Sequence, residues 1–218
     1  MPLAVLIRSI IFVAGTGAIL FISAGRLDLP FFWGFLGVII AAWVVTLALM
    51  DRDLMQERIK PGPGGIDRQL RFALLPSFIV ALVVAGLDVG RFGWSHVPPW
   101  LQIAALAFVA AGYGLSAWAV SVNRFFSPVV RIQTERGHRL VTDGPYRLIR
   151  HPGYCGSLAV MLASGLALGS WWAVLPTLAT AAHLLRRVII EDRFLHAQLD
   201  DYTAYARRVR YRLLPGVW

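Results

Sequence analysis

Charged side chains are scarce in this sequence of 218 residues. Asp, Glu, Lys and Arg make up 15% of the chain, whereas hydrophobic residues make up 57%. Because soluble domains carry roughly 25% charged residues, the composition excludes an ordinary soluble domain and indicates a polytopic membrane protein. The sequence has a single cysteine, Cys155, which excludes an internal disulfide bond.

Acidic residues are fewer than basic ones, and the formal net charge is +9. Such a charge is also found in nucleic-acid-binding proteins. Here, however, the arginines gather at the ends of apolar runs, which is where the anionic headgroups of lipids lie. We therefore expect the lipid bilayer, and no nucleic acid, as the partner of the basic residues.

Long apolar runs are abundant. A run of about 20 residues crosses ~30 Å of hydrocarbon as a helix, and four runs have this length. A fifth run is longer and needs a turn in its middle, for which the segment Gly-Ser-Trp-Trp from Gly169 is suited. The first run lacks a cleavage site of the A-x-A type and is predicted to be a retained span. The four shorter runs are 3–25, 30–50, 72–90 and 97–122, and the fifth is 153–185.

The positions of the basic residues predict the orientation of the chain. Eighteen of the 21 lysines and arginines lie in 51–71, 123–152 and 186–212. The positive-inside rule places these stretches in the cytoplasm, so the fifth run crosses the membrane twice as a helical hairpin. We predict an all-α membrane bundle of five to six segments that forms one domain. In it, residues 1–122 form four spans and residues 123–218 form a cofactor-binding region.

This topology predicts a multi-pass protein of the bacterial inner membrane, with its site facing the cytoplasm. A final amphipathic helix is predicted after the hairpin, on the membrane surface or as a cap of the bundle, and Pro215 is expected to end it. Apolar residues recur there every three or four positions, which places them on one helix face. They are Leu195, Leu199, Tyr202, Ala206 and Val209.

Two polar clusters flank the predicted hairpin, at 131–156 and 186–193. Because a hairpin returns the chain beside its entry point, they can form one site. The glycines, tyrosines and His151 of the first cluster suit a nucleotide-like cofactor, although an interfacial anchor is the alternative. In the second cluster, Arg187 and Glu191 either bind ligand groups of opposite charge or form an ordinary i,i+4 ion pair. No spacing of histidines predicts a metal site.

The motifs of the two clusters resemble the isoprenylcysteine carboxyl methyltransferase family, which consists of integral membrane enzymes that use S-adenosylmethionine. The family pattern is H-x-L-V, G-x-Y and R-H-P-x-Y-x-G, then a hydrophobic hairpin, an acidic pair, a leucine and Y-x-x-Y. The resemblance covers roughly the C-terminal 40% of the chain. The matching residues are HRLV (138–141), GPY (144–146), RHPGYCG (150–156), Glu191 and Asp192, Leu195, Tyr202 and Tyr205.

The resemblance implies a binding site for S-adenosylmethionine and roles for individual residues. Arg187, on the substrate side, and Glu191 are the implied catalytic residues. Two positions depart from the family pattern, namely Asp192 in place of a glutamate and Arg131 in place of a glutamine of the eukaryotic members. The implied cofactor-binding residues are His138, Arg139, Leu140, Val141, Tyr146, Arg150, His151, Pro152, Gly153, Tyr154 and Glu191.

These inferences predict a membrane methyltransferase that moves a methyl group from S-adenosylmethionine to a lipophilic acceptor. The acceptor group is a carboxylate, a thiol or a lipid amine. One alternative is a membrane reductase of the sterol-reductase type, which would bind a nicotinamide cofactor. Another is a transporter or scaffold without enzymatic activity, although the near absence of charge inside the spans speaks against an ion pathway.

Overall fold

Within residues 3–66 and 74–218, which the computed structural model describes, all regular secondary structure is helical. A π-helical turn over Leu87–Phe92 extends the fourth helix. In chain order the helices are α1 (Leu3–Ala24), α2 (Pro30–Leu49), α3 (Arg52–Ile59), α4 (Leu74–Gly86), α5 (Pro99–Val122), α6 (Pro152–Ala167), α7 (Val174–Gln198) and α8 (Tyr202–Arg208).

Four helices in this described part of the chain, α1, α2, α4 with its extension and α5, are long and apolar enough to span a membrane. Many of their large apolar side chains are exposed on the bundle surface, as expected for helices that face lipid. The protein is therefore a helical membrane bundle, as the composition predicted. Arg68 and Arg71, which contributed to the predicted orientation, lie outside the described residues, as does the start of the predicted third span at residue 72.

One end of the bundle gathers α3, the segment 123–151 and the chain over 186–218; we call it the polar end. The short helix α3 was not predicted. Its N-cap is Asp51, whose carboxylate accepts the backbone N–H of Leu54 at 2.6 Å, an arrangement that satisfies an otherwise unpaired donor. The side chains of α3 face the segment that follows α5, so the polar end is built from both halves of the chain.

The opposite end of the bundle is held by a second set of polar contacts. Arg91 in the π-helical turn donates to the carbonyl of Ser23 at 2.6 Å. The hydroxyls of Ser95 and Ser170 donate to the fully buried carboxylate of Asp88. These contacts bring the end of α1, the loop before α5 and the turn between α6 and α7 together. Consequently, α6 leads away from the polar end and α7 returns to it.

The chain turns between α6 and α7 at residues 168–173, where the sequence predicted a break. Gly169 adopts φ +87°, a left-handed conformation that costs glycine least. The two helices pack against each other on either side of this turn. The segment before α6 and the last turns of α7 therefore lie side by side at the polar end.

The prediction of one continuous amphipathic helix up to Pro215 is wrong. Helix α7 ends at Gln198, and α8 begins only at Tyr202 and ends at Arg208. Asp201 stands between them at φ +62°, a conformation that aspartate tolerates better than most residues. The predicted apolar face nevertheless packs together across the break, because Tyr202, Tyr205 and Val209 form a buried cluster. Its neighbours are Leu140, Leu195, Leu199 and Ala206.

Helices α5 and α6 approach closely at two glycines. A Cβ atom on Gly112 would lie 2.7 Å from the carbonyl oxygen of Gly156 and 3.0 Å from the Cβ of Ala159. A Cβ on Gly156 would likewise meet the backbone of Gly112 and the hydroxyl of Ser116. Small residues at such positions allow helix backbones to pack closely in membranes. This contact fixes the start of α6, and hence the residues just before it, against α5.

We expect Gly112→Ala to destabilise the protein by about 1–3 kcal/mol, because the added methyl group overpacks the contact with α6. Gly114→Ala on the same helix is the matched control, since nothing lies within 4 Å of a Cβ at Gly114. There, the higher helix propensity of alanine is expected to leave stability unchanged or to raise it by up to about 1 kcal/mol. Thermal unfolding in detergent micelles measures both changes, and equal midpoints for the two variants would contradict the close packing.

Candidate active site

A cavity of about 350 Å³ opens at the polar end, and we call it the polar cavity. Its volume falls within the range of roughly 300–1,000 Å³ that is usual for ligand pockets. Residues of both predicted clusters line it together. Pro152, which is buried in the first turn of α6, is not among them. The predicted residues in the lining are His138, Arg139, Leu140, Val141, Tyr146, Arg150, His151, Gly153, Tyr154, Arg187 and Glu191.

The carboxylate of Asp192 on α7 joins the two clusters, and this residue is 1% exposed. Arg150 Nε and the hydroxyl of Tyr202 each donate to its Oδ1 atom at 2.9 Å. Arg212 Nε donates to Oδ2 at 2.9 Å, and His151 Nε2 lies 3.1 Å from Oδ1. Donors from three parts of the chain, namely residues 150–151, α8 and the C-terminal segment, therefore converge on one buried negative charge.

Tyr154 lies between the two predicted catalytic residues. Its hydroxyl donates to Glu191 Oε2 at 2.6 Å, and the Arg187 guanidinium lies 5.9 Å from the centroid of its ring. Arg187 also donates to the carbonyl of Pro128. The side chains of Arg187 and Glu191, both of which the structure describes, do not form the i,i+4 ion pair that was the alternative interpretation of this cluster. The Glu191 side chain is 26% exposed and lines the polar cavity.

Three buried tyrosines form the floor between the segment 144–151 and α8. Burial raises the pKa of Tyr146, Tyr202 and Tyr205, so their hydroxyls stay protonated at physiological pH. Tyr205 donates to the carbonyl of Tyr146 at 2.7 Å, and Asn123 donates to the Tyr146 hydroxyl at 3.0 Å. These hydroxyls can donate hydrogen bonds but cannot serve as bases.

His138 is a neutral imidazole in the polar cavity. The backbone N–H of Gln133 donates to its Nδ1 atom at 3.2 Å, and its ring stacks on Phe125 with centroids 4.6 Å apart. Burial lowers the pKa of His138 to about 4, and the positive charges of Arg131 and Arg136 lower it further. At physiological pH the ring therefore accepts a hydrogen bond at Nδ1 and carries its proton on Nε2.

Arg131 stands where the family pattern of the eukaryotic members has a glutamine, and the structure places its side chain in the lining of the polar cavity. Its guanidinium forms a buried ion pair with Glu57 on α3 at 2.7 Å. Gln133 is fully buried behind the lining, where its side chain donates to the carbonyl of Phe125 at 2.7 Å. Of these two residues, only Arg131 reaches the cavity.

A second cavity of about 390 Å³ adjoins the polar cavity, and we call it the apolar cavity. It lies among the membrane helices, with Phe12, Trp43 and Phe78 among the residues of its wall. Because five residues line both cavities, the two cavities adjoin each other at these residues. The shared residues are Arg58, Phe126, Gly153, Ser157 and Met161.

Several lining residues of the polar cavity were not predicted. Tyr202 and Tyr205 belong to the Y-x-x-Y part of the family pattern, so the resemblance contained a signal for them. Arg58 lies in the N-terminal half, where no motif matched, and in the sequence it is one basic residue among several. Only the fold shows that α3 turns this side chain toward the site.

Comparison with known proteins agrees with the predicted resemblance. Residues 100–201 match the model of a family described as phospholipid methyltransferase. The chain is 37% identical over 97 residues to a probable protein-S-isoprenylcysteine O-methyltransferase of Oryza sativa. It is 32% identical over 111 residues to the protein-S-isoprenylcysteine O-methyltransferase of Schizosaccharomyces pombe. Part of this chain is therefore similar in sequence to isoprenylcysteine O-methyltransferases.

The matched region makes up 41% and 50% of this chain in these two comparisons, and 48% and 47% of the two relatives. The chain is also 33% identical over 132 residues to the cobalt-zinc-cadmium resistance protein CzcN of Cupriavidus metallidurans. That match covers 60% of this chain and 57% of the relative. The chain thus spans about half the length of the curated relatives it matches. The match to the family model, over residues 100–201, contains both polar clusters.

Replacing Asp192 tests whether its carboxylate joins the two clusters. Asp192→Asn leaves Arg150 and Arg212 buried or half-buried without their negative partner, which typically costs about 3–5 kcal/mol. We expect a large drop in the thermal midpoint in detergent. Asp143→Asn is the matched control, because its pair with Arg147 is 72% exposed on both sides and should contribute little. Equal, small effects of the two substitutions would contradict this role.

The lowered pKa of His138 predicts a specific dependence of stability on pH. Its pKa of about 4 in the folded protein lies below the ordinary value of 6.5, so the unfolded chain binds more protons between these pH values. The contribution of the neutral ring is fully present above pH 6.5 and is lost as the pH falls toward 4.

We therefore expect the thermal midpoint of the wild type to fall more steeply over this window than that of His138→Gln. Carboxylates also titrate at acidic pH, but they do so in both proteins and cancel in the difference between the two curves. Midpoints measured by fluorescence at several pH values give this difference. Parallel curves would show that His138 is not held neutral by its surroundings.

Proposed function

We propose that this protein is an integral membrane methyltransferase that uses S-adenosylmethionine and a lipophilic acceptor. The observation that carries the proposal is the contiguity of the two cavities, since a polar cofactor and an apolar acceptor could meet where they join. The similarity to isoprenylcysteine O-methyltransferases favours methyl transfer over the reductase and transporter alternatives.

The side chains of the polar cavity fit S-adenosylmethionine. Glu191 offers a carboxylate for the amine or the ribose hydroxyls, and Arg139 offers a guanidinium for the carboxylate of the cofactor. The backbone of Leu140 and Val141 and the rings of Tyr146 and of the neighbouring tyrosines offer amide groups and flat apolar faces for the adenosine part. When bound, the cofactor supplies a methyl group on a sulfonium, whose S–CH3 bond breaks as the bond to the acceptor forms and leaves the electron pair on sulfur.

The residues of the site act mainly by orientation and by excluding water. The hydrogen bond from Tyr154 fixes the Glu191 carboxylate, and the same ring lies beside the Arg187 guanidinium. The buried cluster around Tyr202 and Tyr205 closes the polar cavity toward α8. A carboxylate or thiolate acceptor needs no general base. Holding it in line with the methyl donor in a dry site is therefore the main task of the protein.

The proposal includes an arrangement in the membrane. Helices α6 and α7 cross as a hairpin, which makes six membrane segments in all. The 16 residues of α6 reach about 24 Å, which is slightly short of the hydrocarbon thickness of ~30 Å. The basic residues gather at the polar end, whereas Arg26 and Arg91 lie at the opposite end. By the positive-inside rule the polar end faces the cytoplasm of a bacterial cell.

Both halves of the chain are proposed to act as a single domain. The segment over 123–218 supplies most of the lining of the polar cavity, and α3 in the N-terminal half supplies Arg58. The apolar cavity takes wall residues from the first four helices as well as from α5 to α7. We therefore propose that the N-terminal spans help to bind the acceptor in the apolar cavity, and that the C-terminal region binds the cofactor in the polar cavity.

Saturable binding of S-adenosylmethionine to the purified protein in detergent tests this proposal. We expect Glu191→Gln and Tyr154→Phe each to weaken binding by roughly tenfold or more, as is usual when a hydrogen bond to a charged group is lost or weakened. Asp53→Asn, an exposed carboxylate on α3, is the control and should bind like the wild type. Titration calorimetry measures all four proteins. A folded wild-type sample that binds no cofactor would contradict the proposal.

A further inference from the structure

We call the boundary formed by the residues that line both cavities the passage. One of these residues is charged, and no motif assigns it a role. Of the described residues that line both cavities, Arg58 is the charged one, and the others are Phe126, Gly153, Ser157 and Met161. Its guanidinium lies 5.5 Å from the centroid of the Phe126 ring, and its Nη1 atom donates a long hydrogen bond of 3.4 Å to the Phe126 carbonyl. A guanidinium stays protonated at physiological pH, so this passage carries a fixed positive charge.

A buried ion pair on the neighbouring residue fixes the position of Arg58. Glu57 pairs with Arg131 at 2.7 Å, with side chains that are 4% and 2% exposed, and Ser127 donates to the same carboxylate at 2.7 Å. These contacts hold α3 against the segment that follows α5. They also occupy the Glu57 carboxylate, so it does not neutralise Arg58. Among the residues that the structure describes, no carboxylate lies within ion-pairing distance of Arg58.

Arg187 adds a second positive charge to the same region. It lines the polar cavity close to Arg58, and its guanidinium lies over the Tyr154 ring. Burial lowers the pKa of Arg58, and the positive charge of Arg187 lowers it further, because the two guanidiniums repel each other. An anion bound beside Arg58 would be attracted by its guanidinium and would reduce this repulsion.

We propose that Arg58 is an acceptor-binding, specificity-determining residue that holds the carboxylate headgroup of the acceptor at the passage between the two cavities. This inference rests on the proposed function and names its acceptor as a long-chain carboxylic acid. The apolar tail of the acid lies in the apolar cavity, and its carboxylate faces the polar cavity. Methylation removes the negative charge, so the ester product loses the attraction of the Arg58 guanidinium and is bound more weakly than the acid.

A pair of probes that differ only in this charge tests the proposal. Hexadecanoic acid with a photoreactive diazirine near the end of its chain, and the methyl ester of the same compound, are bound to the purified protein in detergent at a pH where the acid is ionised. Saturable labelling gives the affinity of each probe, and peptide mapping locates it. In the wild type we expect labelling of the apolar cavity and a preference for the acid of roughly tenfold to a hundredfold.

Arg58→Gln should reduce this preference at least about tenfold while ester binding stays unchanged, because only the charge-assisted contact is lost. Arg58→Lys keeps the charge and should retain part of the preference, which a purely structural role of Arg58 would not explain. Arg52→Gln is the matched control, since Arg52 is exposed on the same helix and should have no effect. An unchanged preference in Arg58→Gln, or an equal loss in Arg52→Gln, would overturn the assignment.

Cofactor binding measured on the same samples separates this inference from the proposed function. Unchanged binding of S-adenosylmethionine by Arg58→Gln, together with a lost preference for the acid, supports both. If the wild type binds no cofactor but its preference for the acid depends on Arg58, the methyltransferase proposal fails and the headgroup site stands. If the cofactor binds and the wild type does not prefer the acid over the ester, the headgroup site fails and the methyltransferase proposal stands.

Discussion

The buried carboxylate of Asp192 is the interaction on which the arrangement of the site depends. A charge removed from water costs several kcal/mol unless donors surround it, and here Arg150, His151, Tyr202 and Arg212 do so. The loss of any one of these donors would leave the buried carboxylate only partly compensated, which would destabilise the fold. The segment before α6, the last turns of α7 and the C-terminal segment are therefore held together, and Glu191 comes to lie beside Tyr154.

The two ends of the helical bundle have different roles: one end fixes the turn between α6 and α7, and the other end contains the polar cavity. At the end away from the site, buried Asp88 and its serine partners hold the turn between α6 and α7 in place, so both helices reach the polar end in register. At the polar end, α3 closes the bundle from the N-terminal half and α8 closes it from the C-terminal side. Between them the polar cavity adjoins the apolar cavity. In the proposed function, a water-soluble cofactor and a membrane-bound acceptor approach each other there from different phases.

Much of this arrangement follows from the sequence, and the rest depends on tertiary contacts. Apolar run lengths placed the described ends of the four long spans to within a few residues, and the family motifs contain about half of the residues that line the polar cavity. The break before α8 was missed because the apolar spacing continues across it, while the left-handed conformation of Asp201 depends on local backbone geometry. The position of Arg58 depends on the ion pair of its neighbour Glu57 with Arg131. These two residues are 74 positions apart in the chain, and no local pattern links them.

Cross-linking of the cofactor tests the central claim, that two distant polar clusters form one binding site, most directly. The purified protein is irradiated with S-adenosylmethionine that carries a radioactive methyl group, with and without excess unlabelled cofactor, and the labelled peptides are mapped. We predict competable label in peptides from both 138–154 and 187–205. Competable label that maps only to other parts of the chain would contradict the account.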